Sequence, residues 1–210
     1  MRLDIHVHTS ERSPCSFVPA REAINRAKES QLDGLILTDH NYTWRQDDLD
    51  KLREDSDRGL LILSGQEYDG CGQHFLVFGL PIVSGIFLNP QDLVQAVHDQ
   101  GGMIIVAHPF DPPIRWNLER IKEMGFDGIE LYNACRTAPT QVQIQEAGSL
   151  GLATLGGSDY HGWEGMPSLG TCYTSLEGDC QDLDSFLLAV RNLKVQAHFS
   201  SPYRLRTVSS

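Results

Sequence analysis

The sequence predicts an α/β fold: a closed but irregular barrel with a polynuclear metal site on the C-terminal rim of its strands. Three observations predict it. Short β-branched runs alternate with helical periodicities along the chain. Six of the eight histidines fall at predicted strand ends, mostly beside a carboxylate. At least five strand ends carry such residues, more than the few that an open sheet gathers at a switch point.

The elements follow in order. A first strand from Met1 ends in His6-Val7-His8-Thr9, and Pro19 stands in the first turn of a helix that runs to about Gln31. Strand 35–38 leads into Thr38-Asp39-His40, and a charged helix covers about 46–56. Strand 60–66 delivers Glu67. Tyr68-Asp69-Gly70-Cys71-Gly72 then reads as a tight turn into strand 74–79, which opens with His74. Asn89-Pro90-Gln91-Asp92 caps a helix that stops at Gly101-Gly102, and the apolar strand 103–107 ends in His108-Pro109. A short helix near 117–124, strand 128–132, a helix around 139–149 and strand 153–155 lead to Gly156-Gly157-Ser158-Asp159-Tyr160-His161. Strand 171–175 and a helix over about 182–192 follow. The polar tail from Ser200 is expected to be loosely ordered. The alternation implies a largely parallel sheet, and the 66–74 turn leaves no room for a crossover helix. With no repeat, linker or low-complexity stretch, residues 1–210 read as one domain with its core in 1–199.

Composition narrows the function. A chain of 210 residues, 40% hydrophobic, can bury a full core. The net charge of −11 disfavours a nucleic-acid polymer as partner, because phosphate backbones demand clustered Lys and Arg. A small phosphorylated substrate stays open, since a few cations in one pocket override the net charge. The five cysteines (Cys15, Cys71, Cys135, Cys172, Cys180) are scattered, without a Cys-x-x-Cys pair. A reducing cytoplasm is therefore the expected compartment. Apolar runs of four or five residues are far too short to span a membrane, and the first residues alternate as a strand rather than as a leader.

His6 and His8 lie two apart on a strand, so both side chains leave one face, as a shared metal requires. Asp159-x-His161 repeats that spacing. Glu67 comes straight off an apolar strand, where an unpaired carboxylate is costly unless it meets cations. By contrast, His98 within a helix and His198 without a carboxylate neighbour read as surface or packed histidines.

His-x-His-Thr, Thr-Asp-His, Gly-x-Glu, Ala-His-Pro and Gly-Gly-Ser-Asp-x-His occur in this order over residues 1–175. That ordered set resembles the polymerase and histidinol phosphatase (PHP) family. The resemblance implies a distorted (βα)7 TIM-like barrel and two to three divalent ions (Mn, Zn or Fe). Hydrolysis of a phosphoester by a metal-activated water is the implied activity. It also implies that His6, His8, Glu67 and Asp159 hold one metal. Glu67 bridges to a second, held by His74 and His108, and His40 and His161 hold a third. Glu67, Asp159 and His161 are then the catalytic candidates. The family's additional Asp or His falls on Ser13 here, leaving Glu11, Cys15 or water to complete the third site. An aspartate at 13 is expected to strengthen it. Arg12, Arg115 and Arg136 follow ligand-bearing or adjacent strands and are the phosphate-binding candidates, Arg136 first among them.

Two rival readings remain. Amidohydrolase-like enzymes also open with His-x-His, but many bridge their metals through a carboxylated strand lysine. Lys28, Lys51, Lys122 and Lys194 all fall in segments read as helical. The other rival is a non-catalytic, metal-stabilised binding module. A small phosphomonoester, or a nucleotide phosphoester, is the expected substrate.

Overall fold

The computed structural model describes residues 1–56, 59–83, 85–112 and 116–200, so Arg115 and the tail 201–210 lie outside the described residues. Among them, the strands form two five-stranded sheets. The first sheet is built from β1 (Arg2–Val7), β2 (Gly34–Leu37), β3 (Leu61–Ser64), β9 (Cys172–Leu176) and β10 (Val195–Phe199), ordered β10-β9-β1-β2-β3. The second runs β4-β5-β6-β7-β8, from β4 (Gln66–Gly70), β5 (Gln73–Phe78), β6 (Met103–Val106), β7 (Gly128–Asn133) and β8 (Ala153–Gly157). The six helices are α1 (Ala20–Glu29), α2 (Gln46–Asp55), α3 (Pro90–His98), α4 (Leu118–Glu123), α5 (Gln141–Leu150) and α6 (Leu183–Arg191).

The expectation of a largely parallel sheet needs correcting. β1–β2–β3 and β6–β7–β8 are parallel, but β4–β5–β6 and β1–β9–β10 are antiparallel. The two-residue connection Cys71-Gly72 leaves no crossover between β4 and β5, so only antiparallel pairing is open to that pair. The segment read as one strand over 60–66 is two, broken at Gly65, and Tyr68 to Gly70 belong to β4 rather than to the turn. β10 had no counterpart in the sequence reading. Asn89 does cap α3, accepting from the Asp92 amide at 2.9 Å.

Strand alternation sorts the core into layers. Leu35 and Leu37 pack with α1 and α2, whereas Ile36 faces inward. Phe75, Val77, Ile104 and Val106 pack with α3 and α4, whereas Leu76, Phe78, Met103 and Ile105 face inward. The inward residues of both sheets make one shared cluster with Phe186, Leu187 and Val190 of α6. Strands buried on both faces read as continuous apolar runs, which is why they stood out in the sequence. Met1 and Leu61 pack on the same cluster, so α6 fills the end from which β1 and β3 start. The sheets meet at the opposite end through isolated bridges, Val7 with Tyr160 and His40 with Glu67. Hydrogen bonding does not close the described strands into one continuous barrel ladder.

Candidate metal centre

Both seam bridges involve the strand ends singled out by sequence, and the seams bring those ends together. His6 lies one residue before the end of β1 and His8 follows it; Glu67 lies on β4 and His74 on β5; His108 follows β6, and Asp159 and His161 follow β8. Ligand-capable atoms of His6, His8, Glu67 and Asp159 lie within 4.8 Å of one another, as do those of His40, Glu67 and His74, and those of His8, Cys15, His40 and His161. His108 reaches Glu67 Oε1 through Nε2 at 3.2 Å. Every described histidine and carboxylate named as a ligand is therefore in one cluster, with His40 against Glu67 as well as near His161. His108 (φ 31°) and Asp159 (φ 53°) adopt left-handed backbone conformations that cost a non-glycine residue of order 1–3 kcal/mol.

The donor set fits cations. His6, His8, Glu67 and Asp159 are all within 1% of complete burial. Five imidazoles, from His6, His8, His40, His74 and His108, approach the Glu67 carboxylate within 3.4 Å. One carboxylate offers about four lone-pair directions and a single negative charge, so it cannot balance that many rings alone. Asp159 Oδ1 is buried with no hydrogen-bond partner.

The histidine tautomers sharpen this. His6 Nδ1 lies 2.9 Å from Glu130 Oε1, and an ionised carboxylate only accepts, so Nδ1 carries the proton. Ser13 Oγ–H donates to Asp39 Oδ1 at 2.6 Å, so toward His8 Nδ1, 3.2 Å away, the hydroxyl can only accept. In their neutral forms both rings would turn unprotonated Nε2 atoms toward each other at 3.1 Å, with Glu67 and Asp159 oxygens beside them. Lone pairs so arranged repel unless a positive charge sits among them. Carboxylate–histidine–metal pairs are built this way.

Without metal, protons meet the same demand for positive charge. Burial opposes charge on His6, yet Glu130, Asp159 and Glu67 outweigh it and lift its pKa well above the ordinary value. Burial likewise opposes charge on His8, but hydrogen bonds to Asp159 and Glu67 raise it to about 9. Glu67 and Asp159 are held well below the usual carboxylate range, against burial, by the facing histidines. His161 differs: burial and the neighbouring His8 push it down to about 4.

Residues the sequence did not assign hold this cluster in place. Glu130 on β7 binds His6 Nδ1 with one oxygen and the His108 amide and Asn133 Nδ2 with the other. Its signal was an acid inside a buried apolar strand. Asp39 ties the loop after β1 to β2 through the Thr9 amide and hydroxyl, Ser13 and Trp44 Nε1. Gly157 is required beside them: a Cβ there would sit 2.5 Å from His6 Cβ and 2.8 Å from Glu130 Oε1.

Ser13 is thus not an open ligand position. Its hydroxyl serves His8, Asp39 and the His40 amide, and an aspartate would face the buried Asp39. Contrary to the sequence expectation, an acid at 13 has no open place from which to strengthen a third site. Glu11 turns away as well, both its oxygens accepting from the Ala20 amide at 3.1 Å. Arg136 reaches the cluster, its Nε 2.8 Å from Asp159 Oδ2. Arg12 is instead laid over Tyr42, 4.4 Å from the ring centre. His98 and His198 lie apart, paired with Asp127 and Ser175.

No family model matches the chain. An uncharacterized protein of Methanocaldococcus jannaschii is 25% identical over 151 residues, which cover 64% of this chain and 82% of that one. Among solved structures, a Bifidobacterium adolescentis protein bearing the provisional description metal-dependent phosphoesterase matches with a TM-score of 0.63 and 18% identity, over 90% of this chain and 95% of that one. PsfC from Pseudomonas syringae matches with a TM-score of 0.66 and 22% identity, over 95% and 91%. The chain shares their fold. An amidohydrolase from Chromobacterium violaceum, solved with sulfate bound and no metal, has it too, with a TM-score of 0.60 and 17% identity over 90% and 97%. No described helix is long and apolar enough to cross a membrane.

Proposed function

We propose that this chain is a PHP-type, metal-dependent phosphoesterase that hydrolyses a small phosphomonoester in the cytoplasm. On this reading the two sheets are halves of a distorted (βα)7 barrel, and residues 1–210 form one domain. The observation that carries it is the pair of tautomer-locked histidines, His6 and His8, aimed with Glu67 and Asp159 at one point. Divalent cations held there would supply a water of lowered pKa and positive charge for the phosphoryl oxygens.

The chain's own residues do the rest. Glu67 would hold cations on both its oxygens, which face different sets of imidazoles. Glu130 and Ser13 keep His6 and His8 in the metal-binding tautomer. Arg136, fixed through Nε by Asp159 and with Nη1 3.7 Å from Asp111 Oδ2, would offer Nη2 to a phosphate oxygen. A phosphoester is favoured over an amide because the bridging role falls to Glu67: Lys28, Lys51 and Lys122 lie in helices and Lys194 follows α6, rather than within it as its sequence suggested.

The test is a screen of phosphorylated metabolites, oligonucleotides and N-acyl compounds with protein reconstituted separately with Mn, Zn and Fe. Phosphate release from a small monoester is expected. Turnover of amides alone would make the chain an amidohydrolase, and metal binding without any turnover would make it a binding module.

A further inference from the structure

The loop between β1 and α1 carries Cys15, whose Sγ lies within 4.8 Å of a ring nitrogen of each of His8, His40 and His161. His8 belongs to the inner group, whereas His161 and His40 each hold a ring nitrogen that no hydrogen bond reaches among the described residues. His161 is 5% exposed and commits Nδ1 to the Asp159 carbonyl at 2.7 Å, and no hydrogen bond reaches its Nε2 among the described residues. His40 Nδ1 is buried without a hydrogen bond, 3.2 Å from Glu67 Oε2, which places this ring between the inner cluster and the Cys15 loop.

Cys15 is also held in place on both sides. Ser13 is bonded to Asp39, and Ser16 Oγ donates to the His8 carbonyl at 3.1 Å. The Trp163 indole N–H donates to the Cys15 carbonyl at 2.8 Å while its ring lies 4.7 Å from that of His161. One side chain thus fixes the cysteine backbone against the histidine that its sulfur approaches. The other oxygen donors of this loop are engaged: Ser13 with Asp39, Glu11 with the start of α1.

We infer that the Cys15 thiolate, with His40 and His161, is the ligand set of an outer cation site whose metal preference differs from that of the inner one. This rests on the metallohydrolase reading above. The inner group offers two imidazoles and two carboxylates, a set that suits Mn as well as Zn or Fe. A thiolate with two imidazoles is softer and selects Zn or Fe(II) over Mn. Three protein ligands leave a coordination position for a substrate oxygen. Binding releases the thiol proton to solvent, leaving the sulfur anionic.

The experiment is a Co²⁺ titration of the metal-free full chain, read by absorbance, with Zn and Mn stoichiometry measured in parallel. The parent is expected to develop a near-ultraviolet thiolate-to-cobalt charge-transfer band with its last tight equivalent. Cys15→Ser should lose the band and one tight equivalent of Zn while keeping the others. Cys15→Asp should recover that equivalent with Mn and show no band. A band that survives in Cys15→Ser, or a parent that binds every equivalent without one, overturns the thiolate ligand while the hydrolase reading stands. A parent that binds no cation at all overturns both.

Discussion

The inner cluster of His6, His8, Glu67 and Asp159 and the outer one of Cys15, His40 and His161 use imidazoles in opposite ways. Inner imidazoles face two buried carboxylates and Glu130, which outweigh the cost of burying a charge; His8 is raised to about 9. Outer imidazoles meet burial with less compensation and with the neighbouring His8 against them; His161 falls to about 4 and His40 is lowered. Without metal at neutral pH, the inner rings hold protons and the outer ones do not. Carboxylates per imidazole, rather than depth of burial, set this difference.

Glu67→Gln should break the comparison most severely, since it removes the one charge that the inner histidines share with His40, His74 and His108. Hydrolysis is expected to fall by about 10²–10³ or more, together with metal content. Elemental analysis beside a phosphatase assay checks it. Full activity at unchanged stoichiometry would remove Glu67 from the site.

pH sharpens the same contrast. The His8 pKa rises from 6.5 in the unfolded chain to about 9 in the metal-free fold. Its contribution to metal-free stability is therefore complete below 6.5 and lost as pH rises through about 9. Cation binding needs the neutral ring, so inner-site affinity should climb over that window, by about tenfold per unit for each proton released. Scanning calorimetry should show the metal-free Tm falling there while the loaded protein holds steady. A metal-free Tm that rises instead would contradict the proton-loaded inner cluster.

Next in size are the residues that fix the tautomers. Glu130→Gln lets the amide present its N–H to His6 Nδ1, and Ser13→Ala leaves His8 Nδ1–H without an acceptor. Each should weaken inner-site affinity by about 10–100-fold, with kcat recovering when metal is in excess. Binding calorimetry measures it, and unchanged affinity in both would detach the tautomer argument from the metal.

Much of this site was legible because its ligands are polar residues ending apolar runs, a contrast that one sequence displays on its own. What stayed hidden depends on pairing across the chain. Ser13 looked like a vacant ligand position because its partner Asp39 lies 26 residues away. Glu130 looked like one more alternating strand residue until β7 brought it under His6. Arg12 pointed at phosphate by position, but Tyr42 and Trp44 on another loop take its guanidinium. In the fold, β10 escaped because Val-Gln-Ala-His-Phe buries only Ala197 fully and pairs at an edge. Gly65 divides β3 from β4 with no turn chemistry around it.

The smallest effects belong to the two histidines outside the cluster. His98 ends α3 with Nε2 3.0 Å from Asp127, whose carboxylate also accepts the Ile104 amide at 2.8 Å and keeps that role without the ring. His198 lies on β10, 2.8 Å from Ser175 Oγ and stacked 5.1 Å from the Tyr173 ring centre. Each substitution by alanine removes one partly exposed hydrogen bond, a stability cost of about 1 kcal/mol. Neither ring joins a group that can hold a cation among the described residues. His98→Ala and His198→Ala should therefore keep metal content unchanged and kcat/KM within a few-fold of the parent. A loss as deep as that of His6→Ala in either variant would move the catalytic site away from the seam between the sheets.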